Sequence, residues 1–340
     1  MTTPSAPARR PAAVCVMSPD VADLVLPADL RDELASMVRL VPGPSGAPVH
    51  TAYPDAEVLA EAELLVSGWG CPRLTAEVLA GAPRLRAVLH AAGTVKELVS
   101  EAVWERGIAV SSAADANAGP VVAYTVALIT LAARRTLSMA AGYRTGWPDH
   151  TLRSGGDGLT VGIVGASRIG RGVIDRLVRS DANYRILLSD PYVSHAEARS
   201  LGAERVDLPG LCRRSAVVSV HAPLLPGTTG LLSEQMLALL PDGAAVINTA
   251  RGPIVDTEAL TRACASGRLD AYLDVTDPEP LPPGHPLRSL PNVLLTPHIA
   301  GAQGSEVRRL GEYAVAETAR WLAGEPLRGR VTRDALARLA

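Results

Sequence analysis

The chain of 340 residues has no phenylalanine, only four cysteines and almost no net charge, with 33 Lys and Arg against 35 Asp and Glu. Each scarcity excludes something. A net charge of −2 leaves no broad basic field, so neither nucleic acid nor an anionic membrane is expected as a partner. Cys15, Cys71, Cys212 and Cys264 share no C-x-x-C spacing. That excludes a zinc site or a disulfide framework and predicts small core residues in a reducing compartment. The start, MTTPSAPARR, is polar and Pro-rich with no apolar segment behind its charges, so no secretory signal is expected. The longest apolar run, 121–133, is too short to span a bilayer and reads as a buried helix. Together these features predict a cytoplasmic protein. No internal repeat or low-complexity array is present. The missing phenylalanine accompanies heavy use of alanine and arginine, a GC-rich bias without functional content.

What is present is an ordinary soluble composition, 47% hydrophobic and 20% charged, in a length that suggests two domains. Buried strands are expected at 12–17, 64–68, 86–92 and 107–113, with helical patterns between them, followed by a long helix over roughly 119–139. A loop rich in Gly, Asp and Ser (145–158) leads to a second alternating series, with strands at 159–165, 185–190, 216–222, 244–250, 271–275 and 293–297. Such alternation implies parallel sheets covered by helices. The expected fold is α/β, two Rossmann-like or flavodoxin-like parallel-sheet domains with a cleft between them. A substrate domain of 1–115 would be completed by 305–340, a long helix from about 304 returning to it. A nucleotide domain would occupy 116–304.

GIVGASRIGR, residues 162–171, follows an apolar strand and opens a helix. Gly165 and Gly170 stand at the first and third positions of G-x-G-x-x-G, and Ser167 replaces the middle glycine. Such a loop turns tightly and offers helix N–H groups to phosphate oxygens. Asp190 ends the next strand, twenty residues beyond Gly170, where a carboxylate accepts ribose hydroxyls and repels a 2′-phosphate. NAD is therefore expected over NADP.

Three further stretches end predicted strands in order: NTARGPIVD (248–256), LDVTDPEP (273–280) and LLTPHIAG (294–301). Ligands of open α/β sheets bind at such ends. Arg251 can grip a carboxylate with its planar fork. His298 titrates near neutrality and can exchange a proton with a hydroxyl or carbonyl oxygen, and Glu279 can orient its ring. Singly, an Arg after a strand is ordinarily a surface ion pair, a Glu between prolines a loop residue, and a His after Pro a cap. Their joint occurrence at successive strand ends carries the reading.

With the Gly-rich loop and HAPLLPGTTGLL (221–232), these stretches resemble the D-isomer-specific 2-hydroxyacid dehydrogenases, strongly from about 158 to 303. The resemblance implies Arg251, Glu279 and His298 as catalytic residues and NAD as cofactor. Around the cofactor it places Gly165, Ser167, Arg168, Ile169, Gly170, Asp190, Ala222, Pro223, Thr228, Thr249 and Ala250, with Asp274 against the nicotinamide carboxamide. His221, which begins the HAP turn, is expected to be structural. A homodimer is implied, with the 119–139 helix as a contact. Formate dehydrogenase, on the same fold, has Gln where Glu279 stands. A non-catalytic NAD-binding scaffold or co-repressor on this fold is the alternative.

The chain departs from the family pattern in three places. Ser167 is one. The substrate loop HAAGTVKEL (90–98) keeps Gly93 and Thr94 to meet a carboxylate with backbone N–H groups but has Lys96 in place of an acid. NAGPVVAYT (117–125) has Ala123 where the family carries Glu. Candidate pocket residues are Trp69, His90, Lys96, Arg144 and Trp147, with His90 favoured because it ends a strand. The basic ones among them admit an extra anionic group on the substrate.

Overall fold

The computed structural model describes residues 9–147, 149, 151 and 154–336. The first eight residues of the polar start, parts of the 145–158 loop and the last four residues of the tail lie outside them. The chain divides into two compact units. One is built from residues up to Asn117 and from Ala302 onward, the other from Ala118–Gly301.

In the first unit, β1 (Ala12–Val16), β2 (Arg39–Val41), β3 (Leu64–Ser67), β4 (Ala87–His90) and β5 (Ala109–Ser112) form a parallel sheet in the order β5-β4-β3-β1-β2. The short strand Arg330–Val331 closes the β5 edge antiparallel, Val331 facing Val110. Strand and helix composition explains the layers. Because side chains alternate across a strand, Ala13, Cys15, Leu64, Val66 and Leu89 bury on one face while Val14, Val16, Leu65, Val88 and Val110 bury on the other. Strands covered on both faces read as continuous apolar runs, which is why these segments show no polar alternation. Helix Arg308–Leu322 packs on the first of these faces through Leu310, Ala314 and Val315. A 3₁₀ turn, Gly304–Glu306, precedes it where one continuous helix was expected. The edge strands β2 and Arg330–Val331, of three and two residues, were not predicted.

The second unit holds β6 (Thr160–Val164), β7 (Arg185–Ser189), β8 (Glu204–Arg205), β9 (Val217–Val220), β10 (Ala245–Asn248), β11 (Asp270–Leu273) and β12 (Val293–Leu295). They make one sheet in the order β12-β11-β10-β9-β6-β7-β8, with every pair parallel. The chain winds outward from β6 to β8, returns to β9 on the other side of β6, and winds outward again to β12. The order therefore reverses between β6 and β9, and ligands of open α/β sheets bind at the carboxyl ends of strands at such a switch.

The helix predicted over 119–139 is two helices, Ala114–Ala133 and Thr136–Tyr143, broken at Arg135, whose φ of 51° lies in the left-handed region. The first is long and apolar enough to cross a membrane by length and composition, longer than the apolar run suggested. Its Val122, Leu128, Ile129 and Ala132 are buried with Val161, Ile163, Val173 and Ile247 in the core of the unit. That burial accounts for its apolar composition without a bilayer.

Candidate active site

The loop after β6 turns at Gly165, where φ is +96° and a Cβ would lie 2.6 Å from the Ala222 nitrogen and 2.8 Å from its Cα. A Cβ on Gly170 would meet the Gly165 carbonyl oxygen at 2.1 Å. The loop after β6, the HAP turn after β9 and the helix Arg168–Val178 are thus compressed to backbone contact at the switch point. Ser167 is the N-cap of that helix. Its Oγ accepts the Gly170 N–H at 3.3 Å, so the hydroxyl oxygen is committed to the helix and its proton remains to donate. Arg168 is exposed and Ile169 is half-buried against the sheet core. Asp190 follows β7, half-buried, one oxygen accepting the Ala166 N–H at 2.7 Å and the other the Tyr192 N–H at 2.8 Å. Arg171 supports the loop from below, donating to the Ala166 carbonyl at 2.9 Å while paired with Glu197. A narrow Gly-lined turn over a helix N-terminus, with a carboxylate beside it, fits a dinucleotide. Gly165, Ser167 and Gly170 would meet its pyrophosphate, and Asp190 its adenosine ribose.

Beyond β9, Thr228 staples its turn, Oγ1 donating to the Pro223 carbonyl at 2.6 Å and accepting the Leu225 N–H at 2.8 Å. His221 is buried with Nε2 on the Ser219 hydroxyl at 2.9 Å, and burial pushes its pKa down to about 3. Beyond β10, buried Asn248 pins the next turn, donating to the Arg251 carbonyl and accepting the Ala250 N–H. Thr249 is buried with its hydroxyl 2.8 Å from that of Thr125. Gly252 then passes so close to the chain after β11 that a Cβ would sit 1.9 Å from the Thr276 carbonyl oxygen. This approach brings the Arg251 turn beside the segment that carries Glu279.

Arg251 is half-buried. Burial pulls its pKa below the ordinary value, while the nearby Glu279 carboxylate pulls it up. A guanidinium stays charged under such opposition. Glu279 Oε1 lies 2.7 Å from Nδ1 of His298. With the carboxylate ionised, Nδ1 carries the proton and Nε2 is left for exchange. The His298 and Glu279 side chains are half-exposed, and they line a cavity of about 580 Å³ with Asp274, Leu281, Arg288 and Leu295 among its walls. His298 itself has φ of 56°.

Asp274 was expected against the nicotinamide. Its carboxylate is also tied within the protein. It is 2% exposed and accepts the Thr296 hydroxyl at 2.6 Å and the Ile299 and Ala300 N–H groups at 2.8 Å each. Three of about four lone-pair positions are therefore taken within the protein.

In the first unit, the residues after β4 form a tight turn. Gly93 and Thr94 are half-buried, Thr94 Oγ1 accepts the Lys96 N–H at 3.4 Å, and the Asn117 amide nitrogen lies 3.3 Å from where a Gly93 Cβ would stand. His90 is corrected. It is 7% exposed, with Nδ1 on the Ser67 hydroxyl at 3.0 Å, and burial lowers its pKa to about 4 against a backbone hydrogen bond to Thr94. A ring so committed, and neutral at pH 7, ties β3 to the turn after β4 and supplies no cation for an extra anionic group. Trp69 is exposed at the surface beyond β3. Arg144 and Trp147 are exposed in the second unit. Asn248, Thr296 and Tyr124 went unassigned although each lies inside a quoted motif. The signal was a polar residue ending a buried strand or facing inward from an apolar helix.

A doubly wound sheet with a dinucleotide turn at its switch point and an Arg–Glu–His set at successive strand ends defines a nucleotide-dependent α/β protein. The family described as D-isomer specific 2-hydroxyacid dehydrogenase, NAD binding domain, matches residues 126–300. The chain is 36% identical over 316 residues to D-3-phosphoglycerate dehydrogenase of Mycobacterium tuberculosis (strain ATCC 25618 / H37Rv), covering 90% of this chain and 57% of that one. It is 36% identical over 274 residues to glyoxylate reductase of Thermofilum pendens, covering 78% of this chain and 80% of that one. Among solved structures, a D-isomer specific 2-hydroxyacid dehydrogenase from Xanthobacter autotrophicus Py2, in complex with NADPH and MES, superimposes with a TM-score of 0.74 at 26% identity over 97% of this chain and 100% of that one. The chain belongs to the D-isomer specific 2-hydroxyacid dehydrogenase family. It spans only about half the length of several curated relatives that it matches.

Proposed function

We propose that the protein is an NAD-dependent oxidoreductase that interconverts a D-2-hydroxy acid and a 2-keto acid, running mainly as a keto acid reductase. The single observation that carries this reading is the 2.7 Å bond between Nδ1 of His298 and Glu279, with the Arg251 guanidinium in the field of the same carboxylate. When bound, the dinucleotide supplies or accepts the hydride. The chain's own residues do the rest. Protonated His298 gives the Nε2 proton to the carbonyl oxygen of the keto acid, and Glu279 keeps the ring oriented through Nδ1. Arg251 holds the α-carboxylate with two parallel hydrogen bonds. Asp190 favours NAD, since a 2′-phosphate would meet its charge.

We further infer a homodimer formed through the second unit. Much of the expected contact, 119–133, is buried in the unit's own core. The following helix, Thr136–Tyr143, has no fully buried residue, and Tyr143 and Trp147 stack edge to face while 63% and 75% exposed. A cytoplasmic setting is supported by four free cysteines, whose thiols burial pushes upward in pKa.

The test is oxidation of NADH, with NADPH in parallel, over a panel of 2-keto acids. NADH-dependent turnover of at least one keto acid is expected. His298→Ala should lower kcat by about 10²–10⁴-fold with NADH affinity nearly unchanged. NAD binding without any turnover would favour the scaffold reading instead.

A further inference from the structure

His298 is a non-glycine residue in the left-handed region, and a backbone of that kind persists only where its surroundings over-determine it. The residues that hold it are identifiable. Its N–H donates to the backbone carbonyls of Asp274 at 2.9 Å and Thr296 at 3.0 Å. The Asp274 carboxylate clasps the turn on both sides of the histidine, taking the Thr296 hydroxyl before it and the Ile299 and Ala300 N–H groups after it. Thr296 is held in turn by Tyr124, whose hydroxyl donates to Thr296 Oγ1 at 3.0 Å. Tyr124 lies on helix Ala114–Ala133, and its neighbour Thr125 makes the bond to Thr249. Two consecutive residues of one helix thus secure the loops after β12 and β10.

We propose that Tyr124, Thr296 and Asp274 form a positioning relay that fixes the backbone of His298 so that its ring meets Glu279. None of the three needs to touch substrate. Each acts through the turn, and hydroxyl-to-carboxylate bonds are short and directional, which suits a relay that sets an angle. Loss of the Thr296 hydroxyl removes both the donor to Asp274 Oδ1 and the acceptor for Tyr124, so that the Asp274 carboxylate then holds the turn only after the histidine, through the Ile299 and Ala300 N–H groups. The kinetic part of this inference rests on the reductase reading above, whereas the structural part does not.

The experiment uses the full chain and the variants Thr296→Val, Thr296→Ser and Tyr124→Phe. It follows the His298 ring signals by histidine-selective NMR, assigned by their loss in His298→Gln, together with NADH affinity and steady-state kinetics. Thr296→Val should shift and broaden the His298 signals and lower kcat about ten-fold, since small misplacements of a reacting group are costly. KM for the keto acid and affinity for NADH should stay within about two-fold. Thr296→Ser should restore both readouts. Tyr124→Phe should move both in the same direction by a smaller step, and it decides the matter if Thr296→Val does not fold. Unchanged His298 signals in folded Thr296→Val and Tyr124→Phe would overturn the relay, as would a loss confined to NADH affinity. If the parent turns over no keto acid, the reductase reading fails and the NMR comparison still decides the relay.

Discussion

Two histidines kept neutral by burial make the folded chain sensitive to acid at single residues. His90 is held at about 4 and His221 at about 3, below the ordinary 6.5. Between pH 6.5 and 4 the unfolded chain binds a proton at His90 that the folded chain does not. Stability from this site is therefore complete above pH 6.5 and drains as pH falls toward 4. At 1.36 kcal/mol per unit the loss by pH 4.5 is roughly 2–3 kcal/mol. Urea unfolding at pH 7 and pH 4.5 should show the parent losing that much more stability than His90→Gln, and equal losses would remove His90 as a source of acid sensitivity. Ser167 makes a second residue-level case. As an N-cap its hydroxyl stabilises the helix whose N-terminus faces the proposed pyrophosphate site. Glycine is tolerated at an N-cap at a few tenths of a kcal/mol, alanine at about 1 kcal/mol. Ser167→Gly should bind NADH as well as the parent or better and Ser167→Ala more weakly, by fluorescence titration. A large loss in Ser167→Gly would make the hydroxyl itself a required ligand.

At the scale of elements, legibility followed chemistry. The strands of both sheets stood out because runs such as AAVCV are buried on both faces. The Arg–Glu–His set was legible because each member lies in the loop that follows a strand of the second sheet. Three features were not. The break at Arg135 lies in a sequence without Gly or Pro, and only a left-handed φ marks it. The strand Arg330–Val331 has no pattern of its own because two residues carry no period. What holds it is Glu317, a carboxylate 2% exposed on helix Arg308–Leu322, which accepts the Arg328 and Gly329 N–H groups at 3.1 Å each and the Ser111 hydroxyl. The bond of His90 to Ser67 was not legible either, because a strand-end histidine looks alike from sequence whether it faces solvent or a serine in the next strand. The Glu317 clasp yields a prediction. Glu317→Ala strips a buried acceptor from three donors and should cost roughly 3 kcal/mol. The Ser112 amide, which donates to the Gly329 carbonyl, should lose hydrogen-exchange protection ahead of β3 and β4. Unchanged protection there would mean that the strand is held without the clasp.

At the scale of the molecule, the two units differ in how closely they follow the family. The matched segment, 126–300, falls wholly within the second unit, which supplies the dinucleotide turn and the Arg–Glu–His set. The departures at Lys96 and Ala123 flank that unit's start. The same unit carries the surface that argues for association. Helix Thr136–Tyr143 is short, largely apolar and only half-buried, and a monomer would leave Tyr143 and Trp147 facing water. Aromatic residues of this exposure are enriched in interfaces, where a stable dimer commonly buries about 1,200–2,000 Å². Sedimentation equilibrium of the parent should therefore return twice the chain mass of 35.4 kDa. Tyr143→Glu sets a charge in the apolar patch and should shift the equilibrium to monomer. The parent's Tm should rise with protein concentration and the variant's should not, because association stabilises only the folded state. A parent that sediments as a monomer at all concentrations would end the dimer reading and leave Tyr143 and Trp147 for another partner to cover.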